Sequence, residues 1–250
     1  MNQQRSVNCE TVDVEENDFF SIISAVWWDR KDFFFTLHHL GAVTCKYIRE
    51  IFASNNVKED SAFALSMSDV AVKDSLVSEA IARDGYTVNG IDVNNNLIRV
   101  AKEHAALDKA LTNLTYHVAS ANDEALLNPE QYDVVILTYV LQHVENHEIL
   151  IRDCIKLLKP GGLIFIAAIG KTFQSFVTIK IIFERIKRTF TAGGHQWKNF
   201  VRYSTVESIL KKNACTVINR SGVRCKTKIK WETCDNLDVF YILCASKNYE

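Results

Sequence analysis

Between Gly41 and Gly85 the chain has no glycine. A turn in that interval therefore gains no cheap access to positive φ, and no Cβ-free backbone for a ligand to approach. Proline is scarce as well, with two in 250 residues, so little breaks long helices or strands. No run approaches the roughly 20 apolar residues of a membrane-spanning helix. The opening MNQQRSVNCETVDVEEND lacks an apolar core and turns acidic early, which is not a recognisable secretory or import presequence. Net charge is -1, so no global field gathers nucleic acid, and no nucleic-acid motif is present. The seven cysteines have no CxxC and no metal-ligand spacing. Their odd number suggests reduced, buried thiols in a reducing compartment. Repeats, low-complexity tracts and Gly-, Pro- or Ser-rich linkers are all missing, so residues 1–250 read as a single domain.

What is there is ordinary for a soluble globular protein, with 48% apolar and 24% charged residues. Helical spacing predicts helices over 14–30, with Phe19, Phe20, Ile22, Ile23 and Val26 on one face, and over 38–53. Strands and helices then alternate. Strands are predicted at Ala62–Met67, Thr87–Val93, Leu114–Ala119, from Tyr132 through YDVVILTYV, and at Leu163–Ala168. Helices are predicted at Ser75–Asp84, Asn95–Ala106 and Ile149–Leu158, the last stopped by Lys159–Gly162. This alternation predicts an α/β fold, a mostly parallel sheet with helices on both faces. After a helix over 204–213, Cys215–Asn219 and Val239–Ala245 read as an antiparallel edge pair.

Four stretches carry a family resemblance: EENDFFSIISAVWWD, GYTVNGIDVNNNLIRVAKEHA, YDVVILTYVLQHVENHEILIRDCIKLLKPGGLIFIA and GGHQWKNFVR. In this order and spacing they resemble the ubiquinone-biosynthesis O-methyltransferase family. Those are class I enzymes that use S-adenosylmethionine (SAM) to methylate polyprenylated catechols. The likeness runs from about Val12 to LDVFY. It implies a Rossmann-like α/β/α sandwich with a seven-stranded sheet whose last strand is antiparallel. Residues 12–55 then form an N-terminal helical cap, and 170–200 an amphipathic lid or docking insertion.

Matched without gaps, Asp69 takes the place of the acid that opens the family's glycine-rich cofactor loop. Ala71, Lys73, Asp74 and Ser75 stand where glycines are expected. Asp92, ending the second strand, is suited to accept from ribose hydroxyls or to cap the next helix. The resemblance places adenine contacts at Asn122 and Asp123, which otherwise read as a polar loop. In LTYVLQHVEN the family has two acids and a histidine for a divalent metal. Here the acids are Tyr139 and Gln142, leaving His143, so no metal is expected. His143 and His195 are the candidate general bases. His104, His117 and His147 fall on predicted surface segments without visible partners.

The expectation is therefore a catalytically degenerate relative needing no cofactor, an accessory subunit in a larger assembly. By resemblance it sits on the matrix side of the mitochondrial inner membrane. Partners would be proteins, with peripheral membrane contact through the amphipathic 172–190 and none with nucleic acid. Two alternatives stand beside it: an active SAM-dependent O-methyltransferase of a prenylated catechol, binding through Asp69 and Asp92, and a quinone- or lipid-binding module without catalysis.

Overall fold

The computed structural model describes residues 35–55, 57, 61–65, 77–179, 181, 197–227 and 230–249. The expected helix over 14–30 lies outside them, as do 182–190 of the expected amphipathic helix. The elements begin with α1 (Phe35–Asn55), β1 (Ser61–Leu65), α2 (Val77–Arg83), β2 (Thr87–Asp92), α3 (Asn95–Ala105) and β3 (Leu114–Val118). They continue with α4 (Ala121–Leu127), β4 (Tyr132–Thr138), α5 (His147–Leu157), β5 (Leu158–Ile169) and the single turn α6 (Phe173–Ser175). The last are α7 (Tyr203–Lys212), β6 (Cys215–Thr227), β7 (Lys230–Cys234) and β8 (Phe240–Lys247). Among the described residues, 3₁₀ turns at Leu141–His143 and Trp197–Asn199 lie between β4 and α5 and just before α7.

One eight-stranded sheet has the order β3-β2-β1-β4-β5-β8-β6-β7. Strands β1 to β5 pair in parallel. The expected seven strands are corrected to eight, because β7 pairs with β6 as an extra antiparallel edge. Its sequence KWETC mixes polar and apolar residues with no long apolar run, the weakest form of strand signal. The expected edge pair is corrected too: β8 lies between β5 and β6, antiparallel to both. Phe240 to Ala245 are all buried, as a strand covered on both faces requires.

Two apolar layers fill the sandwich. One joins α1 and α2 to the sheet through Leu40, Ile48, Phe52, Ile81 and Phe165. The Phe165 ring meets Tyr47 and Phe52 edge-on, with centroids 6.4 and 5.6 Å away, and burying a side chain of that size contributes about 1.5–3 kcal/mol. The other layer packs α4, α5 and α7 through Ala125, Ile151, Cys154 and Leu210. KPGG does not merely stop α5. It lies within β5, where the register to β4 shifts between Tyr132 and Val134, and Gly161 takes φ 77°.

At Gly222 a Cβ would lie 1.7 Å from the Asn236 carbonyl oxygen. That oxygen is main chain and cannot swing aside. Gly222→Ala is expected to cost about 1–3 kcal/mol, read as a lower urea midpoint at unchanged m-value; an unshifted midpoint refutes the contact.

Candidate functional site

In open α/β sheets ligands bind at the carboxyl ends of the strands, where the strand order reverses. Here the reversal lies between β1 and β4. Leu65 is level with Ile91 on one side and Leu137 on the other, so the ends of β1, β2 and β4 meet at one edge. Asp69 lies four residues past the end of β1, in the connection 66–76. That connection, with Lys73, Asp74 and Ser75, is outside the described residues.

Asp92 closes β2 and is 3% exposed. It is not the helix cap: its Oδ1 accepts from the Asn94 N–H at 2.7 Å. Asn94 is the N-cap of α3, its Oδ1 accepting from the amides of Asn96 and Leu97. The Ala119 N–H donates to the Asp92 carbonyl at 3.1 Å, which draws the entry to α4 alongside. Asn122 and Asp123 are half-buried on the first turn of α4, correcting the loop expected there. Ser120 caps that helix by accepting from the Asp123 N–H, and its hydroxyl donates to Asp123 Oδ2 at 2.9 Å.

Under this corner lies a polar network that the sequence did not announce. Glu124 is 2% exposed. Its Oε1 accepts from Tyr132 Oη and Asn128 Nδ2, each at 2.8 Å, and its Oε2 is 3.1 Å from His117 Nε2. The His117 bond, aided by Tyr132 and Asn128 against the effect of burial, holds the Glu124 carboxyl below its ordinary range. Burial, with Glu124 adding to it, pushes the Tyr132 phenol up to about 12.

At the end of β4, Tyr139 has φ 53°, a conformation that costs a residue with a Cβ about 1–2 kcal/mol. Its N–H donates to the Ala167 carbonyl at 2.7 Å, and its ring meets Phe240 edge-on at 6.4 Å. Burial drives its phenol far above the usual tyrosine range, with the Thr44 hydroxyl as the opposing influence. Gln142 is buried too, its Nε2 donating to the Tyr139 carbonyl at 2.6 Å. His143 ends the same 3₁₀ turn, 6% exposed.

These residues do not fit a divalent metal. A hard cation takes carboxylate and other oxygen ligands, and this turn offers a core phenol and an amide. Among the described residues no three His, Cys, Asp or Glu side chains gather as a metal site. The adenosine half of SAM does fit: a buried carboxylate ends β2 and a capped helix turn stands beside it.

Of the two candidate bases, His143 is at this edge, while His195 lies outside the described residues. The three histidines expected on the surface all have partners. His104 Nδ1 is 2.6 Å from the fully buried Glu79, and His117 is in the network above. His147 Nε2 is 2.9 Å from two carbonyl oxygens, of Leu141 and Asn199. Nothing in residue type or spacing announces these pairings, which span up to 52 positions.

A family model described as a methyltransferase domain matches residues 68–166. The ubiquinone biosynthesis O-methyltransferase of Bartonella tribocorum is 32% identical over 244 residues, covering 95% of this chain and 97% of that protein. The chain belongs to the ubiquinone biosynthesis O-methyltransferase family. The mitochondrial enzyme of that name from Rattus norvegicus is 32% identical over 218 residues, and the matched region is 63% of its length. The fold matches magnesium protoporphyrin IX methyltransferase from Synechocystis with a TM-score of 0.65 at 17% identity, over 92% of this chain and 95% of that one. The expected class I methyltransferase architecture is thereby met.

Because the folded Glu124 pKa is depressed, its stabilisation is present above the ordinary carboxylate pKa. It is lost as pH falls through the lower folded value. Glu124→Gln should therefore be less stable than the wild type near pH 7, with the gap closing on acidification. Urea midpoints across pH measure it, and a pH-independent gap refutes the ionic part of the network.

Proposed function

We propose that this protein is a SAM-dependent O-methyltransferase acting on a prenylated catechol, and that it works without a divalent metal. The observation that carries this reading is Asp92: the buried acid stands at the end of β2 beside the α4 turn, within a family likeness covering 95% of the chain. Bound SAM supplies an electrophilic methyl group on its sulfonium. Asp92 accepts from the ribose hydroxyls, and Asn122 and Asp123 lie where the adenine is held. His143 takes the proton of the acceptor phenol, so that the oxygen meets the methyl as phenolate. With Tyr139 and Gln142 neutral, no cation lowers the phenol pKa, and the rate rests on that base.

A second reading is favoured by one specific feature: at both halves of the edge the charge or space expected for chemistry is replaced. Residues 66–76 contain no glycine, and Tyr139 and Gln142 occupy the acidic positions. In that reading the protein is a non-catalytic accessory subunit of a membrane-associated assembly, mitochondrial as in the rat relative, with 172–190 touching the membrane. A quinone-binding module without chemistry is its lipid-liganded form.

Calorimetric titration with SAM and its demethylated product, then labelled-methyl transfer to a short-chain prenylated catechol in a chelator, separates the readings. The enzyme reading expects binding of both nucleosides and transfer that survives chelation. Asp92→Asn should weaken SAM binding about 10- to 100-fold, the scale of a lost charged hydrogen bond. Absence of SAM binding by a folded wild-type chain ends the enzyme reading.

A further inference from the structure

His147 begins α5, half-buried, and a single ring nitrogen, Nε2, faces the carbonyl oxygens of Leu141 and Asn199 at 2.9 Å each. Carbonyl oxygens only accept, so Nε2 must carry the proton, shared between the two. Burial lowers the pKa of the ring, in keeping with a neutral imidazole in that tautomer.

The two carbonyls belong to different parts of the chain. Leu141 opens the turn that ends in His143, and Asn199 closes the turn that leads into α7. Gln142 Oε1 and Asn199 Nδ2, in the same two turns, are buried, one an acceptor and the other a donor, and neither has a hydrogen-bond partner among the described residues. Other ties also reach the second turn, and one of them runs to Glu145, two residues past the first. Val201 N–H donates to Ile169, Lys171 Nζ donates to the Lys198 carbonyl, and Lys198 pairs with Glu145 across exposed surface. An exposed pair of that kind holds little. Thus one imidazole N–H is a bond shared between the turn of the candidate base and the segment returning to the sheet.

We propose that His147 is a positioning residue. By donating to both carbonyls it fixes the Leu141–His143 turn against Trp197–Asn199 and so sets where His143 meets the acceptor. This rests on the methyltransferase reading for its consequence, but its geometry can be tested without it.

The experiment compares wild type, His147→Ala and His147→Gln as full chains. The glutamine amide can offer an N–H to each carbonyl. Amide hydrogen exchange is read first, without SAM or acceptor. His147→Ala should speed exchange by about tenfold at His143 and Phe200, the scale of one buried hydrogen bond. Amides of β2 and β3 should be unchanged, and His147→Gln should restore most of the protection. Uniform acceleration across the sheet marks a plain stability loss and overturns the proposal, as does unchanged exchange at His143 and Phe200. Nitrogen-15 spectra of the wild-type ring should show the Nε2–H tautomer; the other tautomer overturns it as well. With labelled-methyl transfer as readout, His147→Ala should raise the acceptor KM more than it lowers kcat and leave SAM affinity unchanged. A wild type that transfers no methyl defeats the reading of function, while the exchange data still decide the role of His147.

Discussion

The site depends on β1 being paired on both sides at once. Its parallel ladders to β2 and β4 fix three strand ends at one height, with Leu65 between Ile91 and Leu137. A register slip of one residue would turn every side chain of the strand to the opposite layer. A slip against one neighbour alone would set the ends of β2 and β4, and with them Asp92 and Tyr139, at different heights. The strand is only five residues long, so its neighbours specify it. VVILT of β4 is buried on both faces, and β2 is held by β3. The crevice is thus a property of the sheet order, set before any polar residue is chosen.

Buried polar ties then fix the surroundings of that edge. Glu124 joins α4 to β3 and β4 through His117 and Tyr132. Glu79, fully buried, joins α2 to α3 through His104 and is paired within its own helix by Arg83. A buried carboxylate left alone is costly, whereas one with several donors orders the elements that supply them. The Glu124 cluster lies in the α4 turn next to Asn122 and Asp123, while the Glu79 cluster ties the C-terminal ends of α2 and α3, with Arg83 also reaching Asp108. These helices are therefore fastened by buried polar bonds as well as by apolar packing.

Much of the fold was legible because its signals are local. Apolar β-branched runs gave β4 and β5, Gly85 gave the end of α2, and an acid followed by helical spacing gave β2 and α3. What was missed depends on partners far along the chain. β7 shows little alternation and exists because β6 is long enough to pair with both β8 and β7. β8 reads as an edge until β5 and β6 claim its two sides. Asn122 and Asp123 read as loop because α4 is only seven residues long, too short to show a helical period. The site divides in the same way. Asp92 was visible from its place after an apolar strand, whereas Glu124 and His147 become meaningful only when segments separated in sequence are brought together.

The end of β4 bears on what kind of change the family pattern has undergone here. Tyr139 keeps a left-handed backbone although a bulky side chain makes that conformation costly, and strain of this sort persists only where the surroundings enforce it. The Ala167 carbonyl, the Phe240 ring and the Gln142 amide all bear on Tyr139. The turn that presents His143 is thus maintained, while the groups that would bring negative charge to it are absent. A neutral turn no longer attracts a cation, but it also no longer repels an electron-rich phenolate. Among the described residues, the turn that ends in His143 therefore places a neutral phenol and an amide beside the histidine, and no carboxylate within the turn itself.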